Sequence, residues 1–254
     1  MDLQMNTYQT KKILEVEKVY KAFSNKEVIS DINIFLEEGE IISLLGFSGV
    51  GKSTLFNIIA GVLQPDQGRV LLKDKDITNR PGHISYMLQK DLLLEQKTIL
   101  MNVSLPLIIK GKSKKEAKEI SQKYFEMFGL EGTEKAYPNH LSGGMRQRAA
   151  FLRTYLSSED VILLDEPFSA LDAITKKELH DWYKKMSQEL GLSTIFISHD
   201  IDEAIYLSDR VYIMTGKPGI ISSEVKIKRP KSGDFSLSSE FLLYKKDILD
   251  KLNR

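Results

Sequence analysis

The chain has 254 residues, of which 42% are hydrophobic and 28% are charged, a composition typical of one water-soluble globular domain with or without a subdomain. Its 36 Lys and Arg residues nearly balance its 35 Asp and Glu residues, which argues against nucleic acid as a partner, and the absence of cysteine excludes disulfides and thiolate sites. No apolar stretch reaches the about 20 residues that span a bilayer, and residues 1–12 lack the apolar core of a signal peptide. We therefore expect a soluble protein that acts at a membrane only through a partner.

The predicted elements begin with strands. Apolar and charged residues alternate over residues 13–20, which predicts an edge strand of an antiparallel sheet, and the alternation continues over residues 30–36. The compact apolar run at residues 41–45 predicts a buried parallel strand. A glycine-rich loop follows it, and a helical pattern then extends over residues 52–60.

Residues 46–53, with the sequence GFSGVGKS, match the phosphate-loop pattern G-x-x-x-x-G-K-S/T between a predicted strand and a predicted helix. Glycines let several backbone N–H groups face one anion, and the helix that follows adds its positive end. The Lys52 ammonium is suited to the β- and γ-phosphates, and the Ser53 hydroxyl is a hard oxygen ligand for Mg²⁺. We expect a nucleoside triphosphate and Mg²⁺ to be bound here by Gly46, Ser48, Gly49, Gly51, Lys52, Ser53 and Thr54.

The middle of the chain is predicted to be mainly helical. Residues 98–129 contain helix-forming stretches rich in Lys and Glu, with Pro106 and Gly111 as breaks. Ser142 is expected to cap a further helix. The Ser-Gly-Gly sequence at its start makes the N-terminus of that helix a second candidate anion site.

Two carboxylates follow the apolar run at residues 161–164. In a parallel α/β sheet the carboxyl ends of the strands form the edge at which ligands bind. Asp165 is placed there to hold Mg²⁺ directly or through water, and Glu166 is placed to orient or deprotonate an attacking water. Together with Lys52 these carboxylates predict hydrolysis of the bound nucleotide.

Strands and helices alternate in the C-terminal half. A helix is predicted over residues 173–190, a strand over 194–198, a helix over 201–207 and strands over 210–214 and 220–225. This order predicts an α/β core with a mainly helical insert, and residues 229–254 are predicted to form a short C-terminal extension. Of the four histidines, His199 is singled out because it closes a predicted strand, whereas the other three are expected to be structural.

Residues 141–147, with the sequence LSGGMRQ, resemble the LSGGQ signature of the ATP-binding cassette (ABC) ATPases, although Met145 stands at the usual glutamine position. This resemblance separates the chain from kinases, GTPases and helicases, which also have a phosphate loop and an acidic strand end. It extends over about residues 14–225 and includes five motifs in the order of the family. It implies that the bound nucleotide is ATP.

The resemblance also implies roles for individual residues. Gln89 would be the Q-loop glutamine, which contacts Mg²⁺ and the attacking water, and His199 would be the switch histidine that contacts the γ-phosphate. Asp172 would belong to the D-loop, and the adenine would stack on Phe23, with Tyr20 as the alternative. Catalysis is thereby assigned to Lys52, Gln89, Glu166 and His199, and the metal to Ser53, Gln89 and Asp165.

The fold implied by the family is α/β, with a P-loop NTPase (ABC cassette) core that has a mixed sheet, an N-terminal antiparallel β subdomain and a helical insert. The ATPase domain is predicted over residues 13–228 and its helical subdomain over about residues 98–157. Two copies would form a head-to-tail homodimer. Each ATP would then lie between Lys52 of one copy and the Ser142-Gly143-Gly144 turn of the other.

Residues 98–103 and the stretch at 199–219 resemble the nitrate, sulfonate, taurine and vitamin-precursor importers of this family. The resemblance implies an importer ATPase subunit for a small polar or anionic solute, held at the inner face of the cell membrane by permease subunits and served indirectly by a solute-binding protein. The permease would contact the region of residues 89–110. The alternatives are the ATPase subunit of an exporter, a soluble ABC ATPase without a transport role, and a regulatory module without turnover.

Overall fold

The computed structural model describes residues 11–157, 160–169, 171–230 and 234–253. Residues 1–10 of the segment expected to lack a signal peptide lie outside these ranges, and so does Ala170 of the predicted D-loop, which comprises residues 169–172. Ten strands are formed in the described ranges: β1 (Lys12–Phe23), β2 (Lys26–Glu37), β3 (Ile41–Leu45), β4 (Gln67–Leu72), β5 (Lys75–Asp76), β6 (Ser85–Met87), β7 (Val161–Asp165), β8 (Ser193–Ser198), β9 (Arg210–Thr215) and β10 (Ile220–Lys226). Seven α-helices accompany them: α1 (Lys52–Ile59), α2 (Ile99–Ile109), α3 (Lys114–Gln122), α4 (Gly143–Tyr155), α5 (Ala173–Leu190), α6 (Ile201–Leu207) and α7 (Ser239–Leu252).

The strands form two sheets. One is antiparallel, with the order β2-β1-β4-β5, and the other has six strands in the order β10-β9-β3-β8-β7-β6. In the second sheet β10 pairs antiparallel with β9, whereas the other pairs are parallel, so the sheet is mixed. The predicted fold class, an α/β protein with a mixed sheet and an N-terminal antiparallel sheet, is confirmed.

Strand β1 is not the edge strand that its alternating pattern predicted. It lies between β2 and β4, with Val16 opposite Ile34 on one side and opposite Val70 on the other. All three side chains are buried, so the two neighbouring strands add their apolar faces to the same core. Alternation shows which face of a strand is buried, but it does not show how many strands pair with it.

Three apolar clusters hold the elements together. The first joins the antiparallel sheet and α1 to one face of the mixed sheet, and the second packs α2, α4 and α5 on the opposite face. The third lies around β9, α6 and α7, where Phe241 and Ile248 attach the C-terminal helix to the buried side chains of Val211 and Ile213. Residues 239–252 are therefore packed on the same fold as the core.

Pro106 does not break the helix at its position, in contrast to the prediction. It lies inside α2, which continues to Ile109. A proline removes one hydrogen bond from a helix, and here the burial of Ile99, Val103 and Leu107 against the helical cluster offsets that loss. Gly111, with φ +93°, follows the end of α2 as predicted, because glycine adopts this left-handed conformation without a steric penalty.

Arg210 forms a buried ion pair at the start of β9, where its side chain is 2% exposed. It donates to both carboxylate oxygens of Glu40, at 2.6 and 2.9 Å, and its guanidinium lies 3.8 Å from the centroid of the Phe35 ring. Removing one partner of a buried ion pair leaves the other charge uncompensated. We expect Arg210→Ala to lower the free energy of unfolding by about 3–5 kcal/mol, measured by urea denaturation.

Arg69→Ala is the matched control, because the ion pair of Arg69 with Glu17 joins two solvent-exposed side chains. We expect that variant to unfold at nearly the same urea concentration as the parent chain. An Arg210→Ala variant as stable as Arg69→Ala would contradict the prediction.

Candidate functional site

The phosphate loop connects the carboxyl end of β3 to α1. Gly51 caps α1 with φ +112°, and a Cβ atom at this position would lie 2.5 Å from Cγ2 of Ile29, so both backbone conformation and space require glycine. No side chain caps α1, and its first turn contains no acidic residue. The N–H groups at this helix end therefore meet no competing side-chain acceptor and are available to an anion.

Lys52 begins α1 and is 7% exposed. Its Nζ atom donates to the backbone oxygens of Gly46, at 2.7 Å, and Phe47, at 3.1 Å. Burial lowers the pKa of the Lys52 ammonium, while the charges of Glu166 and Asp165 act in the opposite direction. The ammonium is thus held at the mouth of the loop, close to both carboxylates of the strand end.

A pocket lies over this loop. Its lining comes from the loop, from the start of α1 and from two residues outside them: Val28, Ser48, Gly49, Gly51, Lys52, Ser53, Thr54 and Glu166. Six of the seven residues predicted to bind the phosphates line it. Gly46, the seventh, instead packs beneath the loop, where a Cβ atom would lie 2.4 Å from the backbone oxygen of Met214.

Asp165 ends β7 and lies next to Ser53, whose hydroxyl is hydrogen-bonded to its carboxylate. Tyr86 donates to Asp165 Oδ2 at 3.3 Å. The pKa of Asp165 is raised, mainly because the carboxyl group is buried. The charge of Glu166 raises this pKa further, whereas Tyr86, Lys52 and Ser53 lower it. The adjacent hydroxyl and carboxylate are hard oxygen donors, a set that fits Mg²⁺ completed by phosphates and water.

Glu166 brings three of the predicted catalytic residues together. Its Oε2 atom lies 3.3 Å from Nδ1 of His199 and accepts a hydrogen bond of 3.2 Å from Nε2 of Gln89. Its backbone has φ +46°, an unfavourable conformation for a glutamate, and its N–H donates to the backbone oxygen of Ile197 on β8. The side chains that follow β6, β7 and β8 therefore meet at one edge of the mixed sheet, beside the pocket.

Two contacts at this edge were not anticipated from the sequence. One involves Tyr86, which donates to Asp165, and the other involves Ser169, which accepts from Gln89 Nε2 at 3.3 Å and also donates to the Glu166 backbone oxygen at 2.9 Å. Ser169 begins the predicted D-loop, so its position in that motif was the available signal. Tyr86 immediately follows the start of β6 and had no such signal.

The signature lies at the start of α4, as predicted. Ser142 caps the helix by accepting a hydrogen bond of 3.3 Å from the Met145 N–H. The next two glycines face the D-loop and the start of α5, since a Cβ atom on Gly143 would lie 3.3 Å from Cδ2 of Leu171 and one on Gly144 would lie 3.1 Å from Cγ2 of Thr175. Of the residues that the structure describes, none from the signature lines the phosphate-loop pocket.

Asp172 caps α5. Its carboxylate accepts from the N–H groups of Ile174 and Thr175, both at 3.1 Å, and from the Thr175 hydroxyl at 2.7 Å. These hydrogen bonds lower the pKa of Asp172, and the bond from the Thr175 hydroxyl has the largest effect. The sequence analysis assigned Asp172 to the D-loop only, although an aspartate directly before a predicted helix is also a common N-cap.

Phe23 ends β1 with its ring 48% exposed and with Lys21 Nζ 5.4 Å from the ring centroid. Tyr20, the alternative, is half-buried in the same strand. An exposed ring presents a flat apolar face, as stacking on a base requires. Neither ring is among the described residues that line the phosphate-loop pocket.

No helix in the described ranges is both long enough and apolar enough to cross a bilayer.

The family model described as ABC transporter matches residues 29–169. The formylaminopyrimidine import ATP-binding protein ThiZ of Halalkalibacterium halodurans is 48% identical over 218 residues, which are 85% of each chain. The aliphatic sulfonates import ATP-binding protein SsuB of Bacillus cereus is 38% identical, over 85% of this chain and 87% of the relative.

Among solved structures, a dimeric post-hydrolysis state of an ATP-binding cassette bound to ADP and Pi is similar, with a TM-score of 0.71 and 30% identity. The similarity covers 85% of this chain and 99% of that one. The matched family model spans more than half of the chain and includes the phosphate loop, the signature and the acidic strand end. The chain therefore belongs to the ABC transporter family and is one of its ATP-hydrolysing cassettes.

Proposed function

We propose that the chain is the ATP-binding and ATP-hydrolysing subunit of a membrane importer. The observation that carries the proposal is the meeting of Gln89, Glu166 and His199 at the edge of the phosphate-loop pocket. This arrangement suits hydrolysis rather than binding alone. Two relatives that match 85% of the chain are named as import ATP-binding proteins.

Within this proposal the phosphate loop binds ATP, and Lys52 compensates the charge of its β- and γ-phosphates. Ser53, Asp165 and Gln89 supply oxygen ligands for Mg²⁺, which would neutralise charge that develops on the phosphates. Glu166 orients and deprotonates the attacking water, and His199, 3.3 Å from Glu166, contacts the γ-phosphate. Phe23 stacks on the adenine.

The second half of each site comes from another copy of the chain. The capped N-terminus of α4 is suited to an anion, yet Gly144 faces Thr175 of α5 and not the pocket of its own chain. In a twofold homodimer the Ser142-Gly143-Gly144 turn and Asp172 of one copy would close over the ATP held by Lys52 of the other. A similar solved cassette is dimeric.

A groove beside Gln89 is suited to a permease segment. Its lining combines polar and apolar side chains: Gln89, Lys90, Asp91, Leu92, Leu93, Glu95, Gln147 and Ser169. Leu92 is 53% exposed, and Arg153 of α4 fixes the loop by donating to the backbone oxygens of Asp91 and Leu92. Gln89 contacts both Glu166 and this groove, so movement of a docked segment would reach the hydrolytic site.

The permease would hold the chain at the inner face of the cell membrane, with a solute-binding protein acting on the permease from the other side. The solute class that we propose is small and polar or anionic. The relatives support it by their names, one of which refers to a formylaminopyrimidine and the other to aliphatic sulfonates.

The proposed function is tested by purifying the chain with the membrane proteins that accompany it and by screening solutes for stimulation of ATP hydrolysis in proteoliposomes. We expect a permease to co-purify and a small polar or anionic solute to stimulate both hydrolysis and uptake. Turnover of ATP by a chain that binds no membrane protein would favour a soluble ABC ATPase. ATP-dependent efflux would identify an exporter subunit.

Replacing Leu92 and Leu94 together by Ser should weaken permease binding about 10-fold or more, because both leucines lose apolar area that would be buried at the interface. Hydrolysis by the isolated chain should be unchanged, since neither side chain lines the phosphate-loop pocket. Leu242→Ser on α7 is the control, because that leucine is also exposed but lies on another element. Normal uptake by the double variant would place the docking surface elsewhere.

A further inference from the structure

A buried polar cluster lies behind His199. Its central residue is Glu203 of α6, which is 5% exposed. The Glu203 carboxylate lies 3.0 Å from Nε2 of His180 and 3.3 Å from Nζ of Lys176, and it accepts a hydrogen bond from the Ser198 hydroxyl. We refer to Lys176, His180, Ser198, Asp200 and Glu203 as the Glu203 cluster.

The Glu203 cluster holds the chain on both sides of His199. On one side, Ser198 is fixed by Glu203 and accepts from the N–H of Asp200 at 3.0 Å. On the other side, the Asp200 carboxylate accepts from Lys176 Nζ at 2.7 Å. The same carboxylate caps α6, where it accepts from the N–H groups that begin the helix.

His199 itself is placed differently from its two neighbours. Its side chain is 62% exposed, and its ring reaches Glu166 at 3.3 Å. The hydrogen bonds of Ser198 and Asp200 therefore fix the backbone on each side of His199, whereas the exposed ring is held less firmly. A carboxylate that anchors Ser198 determines from where the ring approaches Glu166.

The Glu203 cluster also reaches α5. Lys176 and His180 lie in the first two turns of that helix, which begins after Asp172. Asp172 is in turn next to Thr175, the residue that faces Gly144 of the signature helix. The buried carboxylate of Glu203 thus connects the start of α5 with the strand end that carries His199.

We propose that Glu203 is a positioning residue for ATP hydrolysis: through Ser198 and Lys176 it holds His199 in reach of Glu166. The proposal rests on the roles proposed above for His199 and Glu166. Displacing a reacting group by about 1 Å can cost about 10²-fold in rate without a change in binding. Among the described residues, the hydrogen bonds and ion pairs of Glu203 join it to none that line the phosphate-loop pocket, so its effect must pass through its neighbours.

The test compares Glu203→Ala with the parent chain by steady-state hydrolysis and by separate equilibrium binding of ATP. We expect kcat to fall by about 10–10²-fold and ATP affinity to be unchanged. Circular dichroism establishes that the variant is folded. Should Glu203→Ala fail to fold, Ser198→Ala removes only the hydroxyl that links Glu203 to the strand end and should show the same separation of kcat from affinity.

A double-mutant cycle distinguishes positioning from a general structural effect. If Glu203 acts through His199, Glu203→Ala should add nothing to the loss of rate already present in His199→Ala. Glu40→Ala is the matched control, since Glu40 is also the partly buried carboxylate of an ion pair, but its partner is Arg210. That variant should lose stability while kcat stays at the parent value.

Two kinds of outcome overturn the proposal, and they differ in what else they contradict. A folded Glu203→Ala variant with the kcat of the parent chain would refute the positioning role. So would a Glu203→Ala substitution that lowers kcat in the His199→Ala background by the same factor as in the parent chain. Both outcomes would leave the proposed function intact. Parent-level hydrolysis by His199→Ala alone would refute the role of His199, and with it both the proposed site and the positioning of that site by Glu203.

Discussion

Replacing Glu166 by Gln should slow ATP hydrolysis by about 10²–10⁴-fold, the usual contribution of a general base. The amide keeps the size of the side chain, but it cannot accept a proton from water at neutral pH. The residues proposed to bind ATP and Mg²⁺, Lys52, Ser53 and Asp165, are unchanged, so ATP affinity should be retained. Single-turnover hydrolysis and equilibrium binding would measure the two quantities separately.

The same variant tests the dimer. Because ATP is bound but not cleaved, Glu166→Gln should convert from monomer to a stable dimer when MgATP is added, as measured by gel filtration with multi-angle light scattering. Ser142→Arg, placed in the Glu166→Gln background, adds bulk and charge at the start of α4 and should abolish that dimer. A Glu166→Gln protein that binds ATP and stays monomeric at high concentration would contradict the composite site.

Replacing Lys52 by Ala should remove ATP binding and hydrolysis together. The ammonium is buried at the mouth of the loop, where it donates to two backbone oxygens of the loop itself. Truncating one member of a buried charge pair costs about 2–5 kcal/mol, so we expect ATP affinity to fall by about 10²-fold or more. Isothermal titration calorimetry with ATP would measure it.

Lys217→Ala is the control for this experiment. Lys217 is exposed and lines a different pocket together with Phe47 and Ser48, so its charge is near the loop without forming part of the phosphate-loop pocket. We expect ATP affinity close to that of the parent chain. If Lys52→Ala turned over ATP at a near-normal rate, the phosphate-loop assignment would be wrong.

Local signals account for the elements that were predicted with correct bounds. The helix predicted over residues 173–190 is α5, which begins after the Asp172 cap and ends at Gly191 in the left-handed conformation. The strand predicted over residues 41–45 is β3, whose five residues are all buried. Caps, stop residues and short apolar runs are encoded within a few positions of the element, so a single sequence contains them.

The errors concern properties that depend on distant parts of the chain. Whether β1 is an edge strand depends on its pairing with β4, which brings Val16 opposite Val70. Whether Pro106 breaks α2 depends on the core against which that helix packs. Neither the pairing nor the core can be inferred from the local pattern of residues around these positions.

In the candidate site, too, the predicted features differ from those that depend on contacts between distant parts of the chain. The resemblance to the ABC ATPases predicted that Gln89, Glu166 and His199 belong to one site, and the structure places both Gln89 and His199 in contact with Glu166. The contact of Tyr86 with Asp165 and the cluster around Glu203 were not predicted, because they join side chains of different elements and no local pattern shows which elements meet.

The backbone of Glu166 has a further consequence. Its φ of +46° is a conformation that glycine adopts freely and that costs a larger residue about 1–3 kcal/mol. Folding and chemistry therefore favour different residues at this one position. Glycine at residue 166 would remove this strain and with it the carboxylate, so the side chain proposed for hydrolysis is held at a cost to the stability of the fold.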